Sequence, residues 1–237
     1  MGWQNGTIKE LIQQQHDCLC GRVHTTCIKE VKIEHQLVDK MSQDVQLWGY
    51  KLPYIVSDSI TEQLLGAQLK QVLKGESQPF GEYVYERDQA LVPDEKALGE
   101  ILIEYPKGCD LIIGVGSGTL NDICRFLSYK MEIPYWIIGT APSMDGYAST
   151  ASPLIVNHLK NTYYCHEPER ILGDLSVLSL APMVMLSAGV GDLLGKYTAL
   201  TDWRVGQVIT GEYYCEAIVE LVEIAVKKCI ESIEELI

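Results

Sequence analysis

The stretch Asp110-Leu-Ile-Ile-Gly-Val-Gly-Ser-Gly-Thr-Leu-Asn-Asp-Ile-Cys-Arg125 constrains this chain more than any other. Leu111, Ile112, Ile113 and Val115 form an apolar run without polar alternation, the pattern of a strand buried on both faces of a parallel sheet. Gly114, Gly116 and Gly118 follow, and from Leu120 the period changes. Leu120, Ile123, Cys124 and Leu127 share one helical face. Strand, glycine turn and helix N-terminus together make an anion site: free N–H groups point outward, the helix dipole favours negative charge, and glycines admit a pyrophosphate close to the backbone. The same residues equally suit an ordinary βα turn without a ligand.

Around this turn the pattern repeats. Residues 7–20 read as a short amphipathic helix and 27–35 as an edge strand. Residues 37–47 read as a helix and 51–58 as the next strand. A helix capped by Ser59 or Thr61 then runs through Lys74. Tyr83-Val-Tyr85 reads as a strand, 94–105 as a helix and Tyr135–Gly139 as a strand that opens into Thr140-Ala-Pro-Ser-Met-Asp-Gly-Tyr-Ala-Ser149. Residues 153–156 and 161–164 suit a hairpin around His158–Asn161, and 170–174 the last strand. This alternation predicts an α/β fold, a Rossmann-like doubly wound parallel sheet, with ligands at the carboxyl edge of the strands. Asp58 lies just past a strand end, where an acid either accepts ribose hydroxyls or caps a helix. From about residue 180 strand signals vanish. Helical spacings take over, interrupted at Gly189-Val-Gly191-Asp192, and residues 212–237 suit one long helix whose apolar stripe includes Ile218, Leu221, Val226 and Leu236. The expected division is therefore a sheet domain with an N-terminal extension over 1–179, and a partial helical domain over 180–237.

Composition narrows the function. Nineteen basic against 32 acidic residues leave a net charge of −13, which repels nucleic acid and anionic membranes, so any phosphate site must be local. No apolar run is long enough to span a bilayer, the N-terminal residues do not resemble a signal peptide, and eight cysteines read as reduced thiols, so a cytoplasmic location is expected. Cys18, Cys20, His24 and Cys27 are four potential zinc ligands, but their spacing fits no common finger or ribbon. Thiols on a turn and strand start are the preferred reading.

Three motifs in order, Gly116-Ser-Gly-Thr-Leu-Asn-Asp122, Thr140-Ala-Pro-Ser-Met-Asp145-Gly-Tyr-Ala-Ser149 and Ala188-Gly-Val-Gly-Asp192-Leu-Leu-Gly-Lys-Tyr-Thr-Ala-Leu-Thr-Asp202-Trp, resemble sn-glycerol-1-phosphate dehydrogenases, nearest the bacterial branch. That family sits in the superfamily of iron-containing alcohol dehydrogenase, glycerol dehydrogenase and dehydroquinate synthase. The resemblance implies that Gly116, Ser117, Gly118, Thr119, Leu120, Asn121 and Asp122 hold the pyrophosphate of NAD(H), or of NADP(H). It places Thr140, Ala141, Pro142, Ser143 and Ser149 by the nicotinamide half and Asp58 by the adenosine ribose. Asp145 would bind the hydroxyls of dihydroxyacetone phosphate or sn-glycerol 1-phosphate. Asp192 would be the first ligand of a divalent zinc or nickel ion that polarises the substrate carbonyl, and would itself take part in substrate binding and catalysis. A homo-oligomer acting on a small molecule, with no nucleic-acid or membrane partner, is expected.

The sequence departs from this family in one respect. The family histidine ligands lie downstream of the aspartate, whereas His16, His24, His35, His158 and His166 all precede Asp192. One carboxylate does not supply the three protein ligands of a catalytic ion. The simplest expectation is a C-terminally truncated chain matching the nucleotide half and the opening helices of the metal half. The alternatives are a non-catalytic nucleotide-binding homologue and another polyol dehydrogenase of the glycerol dehydrogenase type; dehydroquinate synthase is disfavoured by the Gly-Thr-Leu-Asn-Asp and Ala-Pro-Ser-Met-Asp-Gly loops.

Overall fold

The computed structural model describes residues 3–86 and 89–233. The chain divides into two compact units. One holds the residues up to Thr26, Ser143–Asp145 and the residues from Met183 on; the other holds Cys27–Pro142 and Gly146–Pro182. The N-terminal segment, expected as an extension of the sheet, therefore groups with the helices.

That segment begins with a 3-10 turn at Trp3–Asn5 and helix α1 (Ile8–Gln13). A capping box starts α1. Thr7 Oγ1 accepts the Glu10 N–H at 3.3 Å, and Glu10 Oε2 accepts the Thr7 N–H at 2.7 Å. The helix stops seven residues short of the expected Cys20, because the chain turns back on itself as a ribbon. Strand β1 (His16–Asp17) pairs antiparallel with β2 (Val23–His24), placing His16 opposite His24. Gly21, at φ +83°, closes the turn by donating its N–H to the Cys18 carbonyl at 3.0 Å.

The larger unit contains strands β3 (Glu30–Glu34), β4 (Pro53–Asp58), β5 (Gly81–Tyr85), β6 (Leu111–Gly116), β7 (Tyr135–Gly139), β8 (Ala151–Val156), β9 (Leu159–Tyr164) and β10 (Arg170–Asp174). Six of them make one wholly parallel sheet in the order β3-β10-β7-β6-β4-β5. The six strands expected from sequence are these six. The connections carry α2 (Met41–Leu47), α3 (Ser59–Thr61), α4 (Ala67–Gly75), α5 (Glu95–Ile103) and α6 (Gly118–Met131), and a short α7 (Leu175–Leu178) follows β10. The apolar run of β6 is explained by two cores. Ile113 and Val115 face Met41, Val45, Leu69 and Leu73 on one side of the sheet. Ile112 faces Ile101, Ile123, Cys124 and Leu127 on the other. Each such side chain contributes roughly 1.5–3 kcal/mol on burial.

The hairpin β8–β9 is tighter than expected. Its turn is the pair Asn157-His158, both at positive φ (52° and 63°), a two-residue connection matched to the strand twist. Its base is fixed by Arg125 of α6, whose side chain is wholly buried. The guanidinium donates to Asp122 Oδ1 at 2.6 Å, to the Ala151 and Gly146 carbonyls at 2.9 Å each, and to the Tyr135 hydroxyl at 3.1 Å.

In the other unit, helix α8 (Met183–Thr210) runs unbroken through Gly189 and Gly191, so the expected interruption there is absent. Gly189 and Gly191 cost about 1 kcal/mol each, too little to break a helix of 28 residues. Helix α9 (Glu216–Glu231) begins after Cys215, four residues later than expected, and packs against α8 and the Trp3–Asn5 turn. Its Val219 and Val226 are buried, whereas Leu236 lies outside the described residues. Among the described residues no helix is long and apolar enough to cross a membrane.

Replacing Arg125 with Ala leaves the Asp122 carboxylate and the Gly146 and Ala151 carbonyls without this donor. Urea unfolding of Arg125→Ala should show a loss of about 3–5 kcal/mol, whereas a loss within 1 kcal/mol would mean that the guanidinium does not anchor the hairpin.

Candidate active site

In the sheet unit, the chain leaves β4 toward β5 on one side and leaves β6 toward β7 on the other. The carboxyl ends of β4 and β6 therefore flank the switch point of the sheet, where open α/β folds bind ligands. Val56 pairs with Gly114, so Asp58 and Gly116 stand two residues beyond the same register position. These are the strand-end acid and the glycine turn of the sequence reading, brought side by side.

The glycines here serve packing as well as approach. A Cβ on Gly114 would meet Cys124 Sγ at 2.9 Å, and one on Gly116 would strike Leu120. Both glycines thus let α6 lie close against β6. Ser117 is the N-cap of α6 and makes no side-chain cap bond, so first-turn N–H groups of α6 remain for a ligand. Asn121 and Asp122, one turn in, serve the protein itself. Asn121 is fully buried and donates to the Gly146 carbonyl at 3.3 Å. Burial pushes the Asp122 carboxyl up to about 6 against the pull of Arg125.

Asp58 caps the helix that follows it. Its Oδ1 accepts the N–H groups of Ile60 and Thr61 at 3.0 and 2.8 Å, while Thr61 Oγ1 accepts the Asp58 N–H at 3.0 Å. The cap is thus Asp58, and Ser59 and Thr61 lie inside the helix that they were expected to cap. Along the second loop, the Thr140 N–H binds the Gly116 carbonyl at 3.2 Å, joining the loop to the glycine turn. Tyr147 donates to the Ala141 carbonyl at 2.8 Å, Pro142 is exposed, and Ser149 Oγ accepts the Ala151 N–H at 2.9 Å.

Ser143 and Asp145 belong to the helical unit, with Asp192 and Lys196 of α8. Asp192 Oδ2 accepts the Asp145 N–H at 2.9 Å, and Lys196 Nζ pairs with Asp145 Oδ2 at 2.8 Å. The backbone donor lowers the Asp192 pKa. Burial raises that of Asp145; Lys196 opposes this and repulsion from Asp192 adds to it. The groups bonded to Asp192 and Asp145 here, among the described residues, are a backbone N–H and the Lys196 ammonium, both hydrogen-bond donors, and that set does not fit a cation. Among the described residues, the grouping of His, Cys, Asp and Glu able to hold a metal is Cys18, Cys20, His24 and Cys215, elsewhere in this unit. Spacing alone could not find Cys215, and it suggested Cys27, which lies in the sheet unit.

The family model for iron-containing alcohol dehydrogenase matches residues 32–182, which take in the parallel sheet from within β3 through β10. This chain belongs to that family. The glycerol-1-phosphate dehydrogenase (NAD(P)+) of Geobacillus thermodenitrificans is 31% identical over 234 residues, 98% of this chain and 58% of the relative. That of Halalkalibacterium halodurans is 32% identical over 235 residues, 98% of this chain and 59% of the relative. The chain thus spans a little under three fifths of these curated relatives' length. Among solved structures, the alcohol dehydrogenase of Oenococcus oeni superposes with a TM-score of 0.62 at 17% identity, over 84% of this chain and 63% of that one. The glycerol dehydrogenase of Schizosaccharomyces pombe gives 0.61 at 18% identity, over 83% and 58%. These two likenesses show the fold.

Proposed function

We propose that this chain serves an NAD(P)-dependent interconversion of dihydroxyacetone phosphate and sn-glycerol 1-phosphate, with the sheet unit holding the dinucleotide. The observation that carries the reading is the glycine turn beside Asp58 at the switch point, in a chain that aligns over 98% of its length with glycerol-1-phosphate dehydrogenases. Backbone N–H groups of Gly116, Ser117, Gly118, Thr119 and Leu120 meet the pyrophosphate at the α6 N-terminus, where the helix dipole favours its charge. Asn121 and Asp122 hold the turn in shape from behind through Gly146 and Arg125. Thr140, Ala141, Pro142 and Ser149 line the nicotinamide side of the same unit.

The dinucleotide, when bound, supplies the hydride chemistry. In the helical unit, Ser143 stands for a nicotinamide contact and Asp145 for a partner of substrate hydroxyls, its carboxylate held by Lys196. No step is assigned to a metal at Asp192, because the residues around it do not form the ligand set of a catalytic zinc or nickel ion. The N–H and ammonium donors that occupy the Asp192 and Asp145 carboxylates support a second reading, a nucleotide-binding homologue without turnover. The two readings part on dihydroxyacetone phosphate reduction, since both include NADH binding.

Isothermal titration should show NADH binding by the parent chain and none by Gly118→Asp, because a carboxylate would stand in the pyrophosphate site. Equal affinities would remove the glycine turn from the binding site.

NADH should bind more tightly than NADPH, since the Asp58 carboxylate repels a 2′-phosphate. Asp58→Gly should narrow the ratio of the two affinities by about tenfold, corresponding to roughly 1.4 kcal/mol of repulsion. Glycine at an N-cap costs only a few tenths of a kcal/mol, so the fold survives this test. Unchanged preference would place the ribose elsewhere.

The homo-oligomer belongs to this proposal as well, and the structure shifts the apolar face that supports it from α9 to α8. Val184, Val208 and Ile209 of α8 are about three-quarters exposed, and Met183, Tyr197 and Val205 about half. So long an apolar face on one helix marks an association surface. Light scattering should give a dimer or larger species, and a monodisperse monomer at micromolar concentration would count against it.

A further inference from the structure

The segment from Trp3 to Thr26 has no fully buried residue. It still carries a capped helix, a ribbon and a glycine turn that run as one defined path. So few residues without a core of their own need a cross-link to hold one conformation. The cysteines in this unit are free thiols, so no disulfide supplies it. What the ribbon does instead is present three ligand atoms to a fourth.

Cys18 and Cys20 lie on the turn between β1 and β2, His24 ends β2, and Cys215 immediately precedes α9. Cys18 Sγ is 3.5 Å from Cys215 Sγ, and His24 Nε2 is 3.4 Å from the sulfurs of both Cys20 and Cys215. All four ligand atoms lie within 4.8 Å of one another. A tetrahedral zinc, with Zn–S of about 2.3 Å and Zn–N of about 2.0–2.1 Å, sets its ligand atoms roughly 3.5–3.8 Å apart. The Cys18–Cys215, His24–Cys20 and His24–Cys215 separations lie close to those edges. We propose that Cys18, Cys20, His24 and Cys215 bind one zinc ion in a closed structural site that ties the N-terminal ribbon to the start of α9.

The surroundings suit that role. Tyr213 places its hydroxyl 3.3 Å from Cys20 Sγ, and its ring is covered by the Arg22 guanidinium at 3.5 Å. The Tyr213 carbonyl accepts the Trp203 indole N–H at 2.5 Å, fixing the strand of chain that delivers Cys215. Trp3 stacks on His16 with centroids 4.9 Å apart and lies 5.3 Å from the His24 ring, setting the imidazole's plane. Groups that orient ligands and bond to thiolate sulfur are the supporting shell a zinc site requires. Three thiolates and an imidazole leave no open position, so the ion would hold structure and do no chemistry. The site is independent of the proposed dehydrogenase reaction, and it shares no residue with Asp192.

The test uses the full chain purified under reductant without chelator. Elemental analysis should find about one zinc per chain. Exchange with Co(II) should give a thiolate-to-cobalt charge-transfer band and the intense visible bands of a tetrahedral ion, which a carboxylate site does not produce. Cys20→Ser and Cys215→Ser should each reduce zinc to background, while Cys27→Ser and Asp192→Ala should keep it. If the thiol variants do not fold, the parent chain still decides. Zinc should shield Cys18, Cys20 and Cys215 from iodoacetamide, and stripping the zinc should expose all three. A Co(II)-loaded parent chain without the charge-transfer band, a Cys18–Cys215 disulfide in the reduced protein, or zinc retained in Cys215→Ser would each overturn the proposal.

Discussion

The buried guanidinium of Arg125 is the interaction on which the candidate site most depends. It reaches from the glycine-turn helix to a β7 hydroxyl, to the carbonyl at the mouth of the following loop and to the first carbonyl of the β8–β9 hairpin. A cation with no exposure survives there only because each donor finds an oxygen and Asp122 offsets its charge at 2.6 Å. The consequence is positional. The glycine-turn helix and the residues from Gly146 on are held in one geometry by a single buried side chain.

A second polar network does the same at the opposite, amino end of the strands. Arg170 pairs with Glu30 and Asp44 while its guanidinium lies 4.4 Å from the Trp136 ring and 5.0 Å from that of Trp48. Beside it, Glu169 accepts from Lys29 and Tyr50 at 2.6 Å and from the Trp136 indole at 2.9 Å. Those donors outweigh the upward push of burial and leave the Glu169 pKa lowered. This network closes the edge where β3 joins β10, so the sheet has a fastened floor and an open carboxyl edge. Such a division puts rigidity and ligand binding at different ends of the same strands.

The parallel sheet was legible because burial on both faces writes an unmistakable apolar run into β4, β6 and β7, and the glycine turn because a period change marks its helix. Other features depended on long-range partners that leave no local mark. Asp58 reads from sequence as either a ribose acceptor or a cap, and the structure gives it two N–H groups to accept. The 7–20 helix overran because the pairing of His16 with His24 competes with helix only once the ribbon has turned. The break expected at Gly189 and Gly191 failed because local propensity of about 1 kcal/mol per glycine yields to a 28-residue helix. Arg125 looked like the end of a motif and proved to be its anchor, which only the carbonyls of Gly146 and Ala151 reveal.

The histidines and cysteines show how donor chemistry sorts what spacing cannot. Asp192 reads by resemblance as a metal ligand, yet the groups on it and its neighbour are an N–H and an ammonium, both hydrogen-bond donors that compete with a cation for carboxylate oxygens. The histidine that the sequence places far upstream, His24, instead faces two sulfurs. Soft thiolates with an imidazole favour zinc in a closed tetrahedron, whereas a hard carboxylate beside an ammonium is already charge-compensated. The spacing Cys18-x-Cys20…His24 looked incomplete because its fourth member lies 191 residues beyond His24 in sequence. A short N-terminal ribbon without a core and a helix start that presents a buried cysteine are each unexplained alone. Joined through one ion, each supplies what the other lacks: the ribbon gains a fixed end, and Cys215 gains the partners that its burial requires.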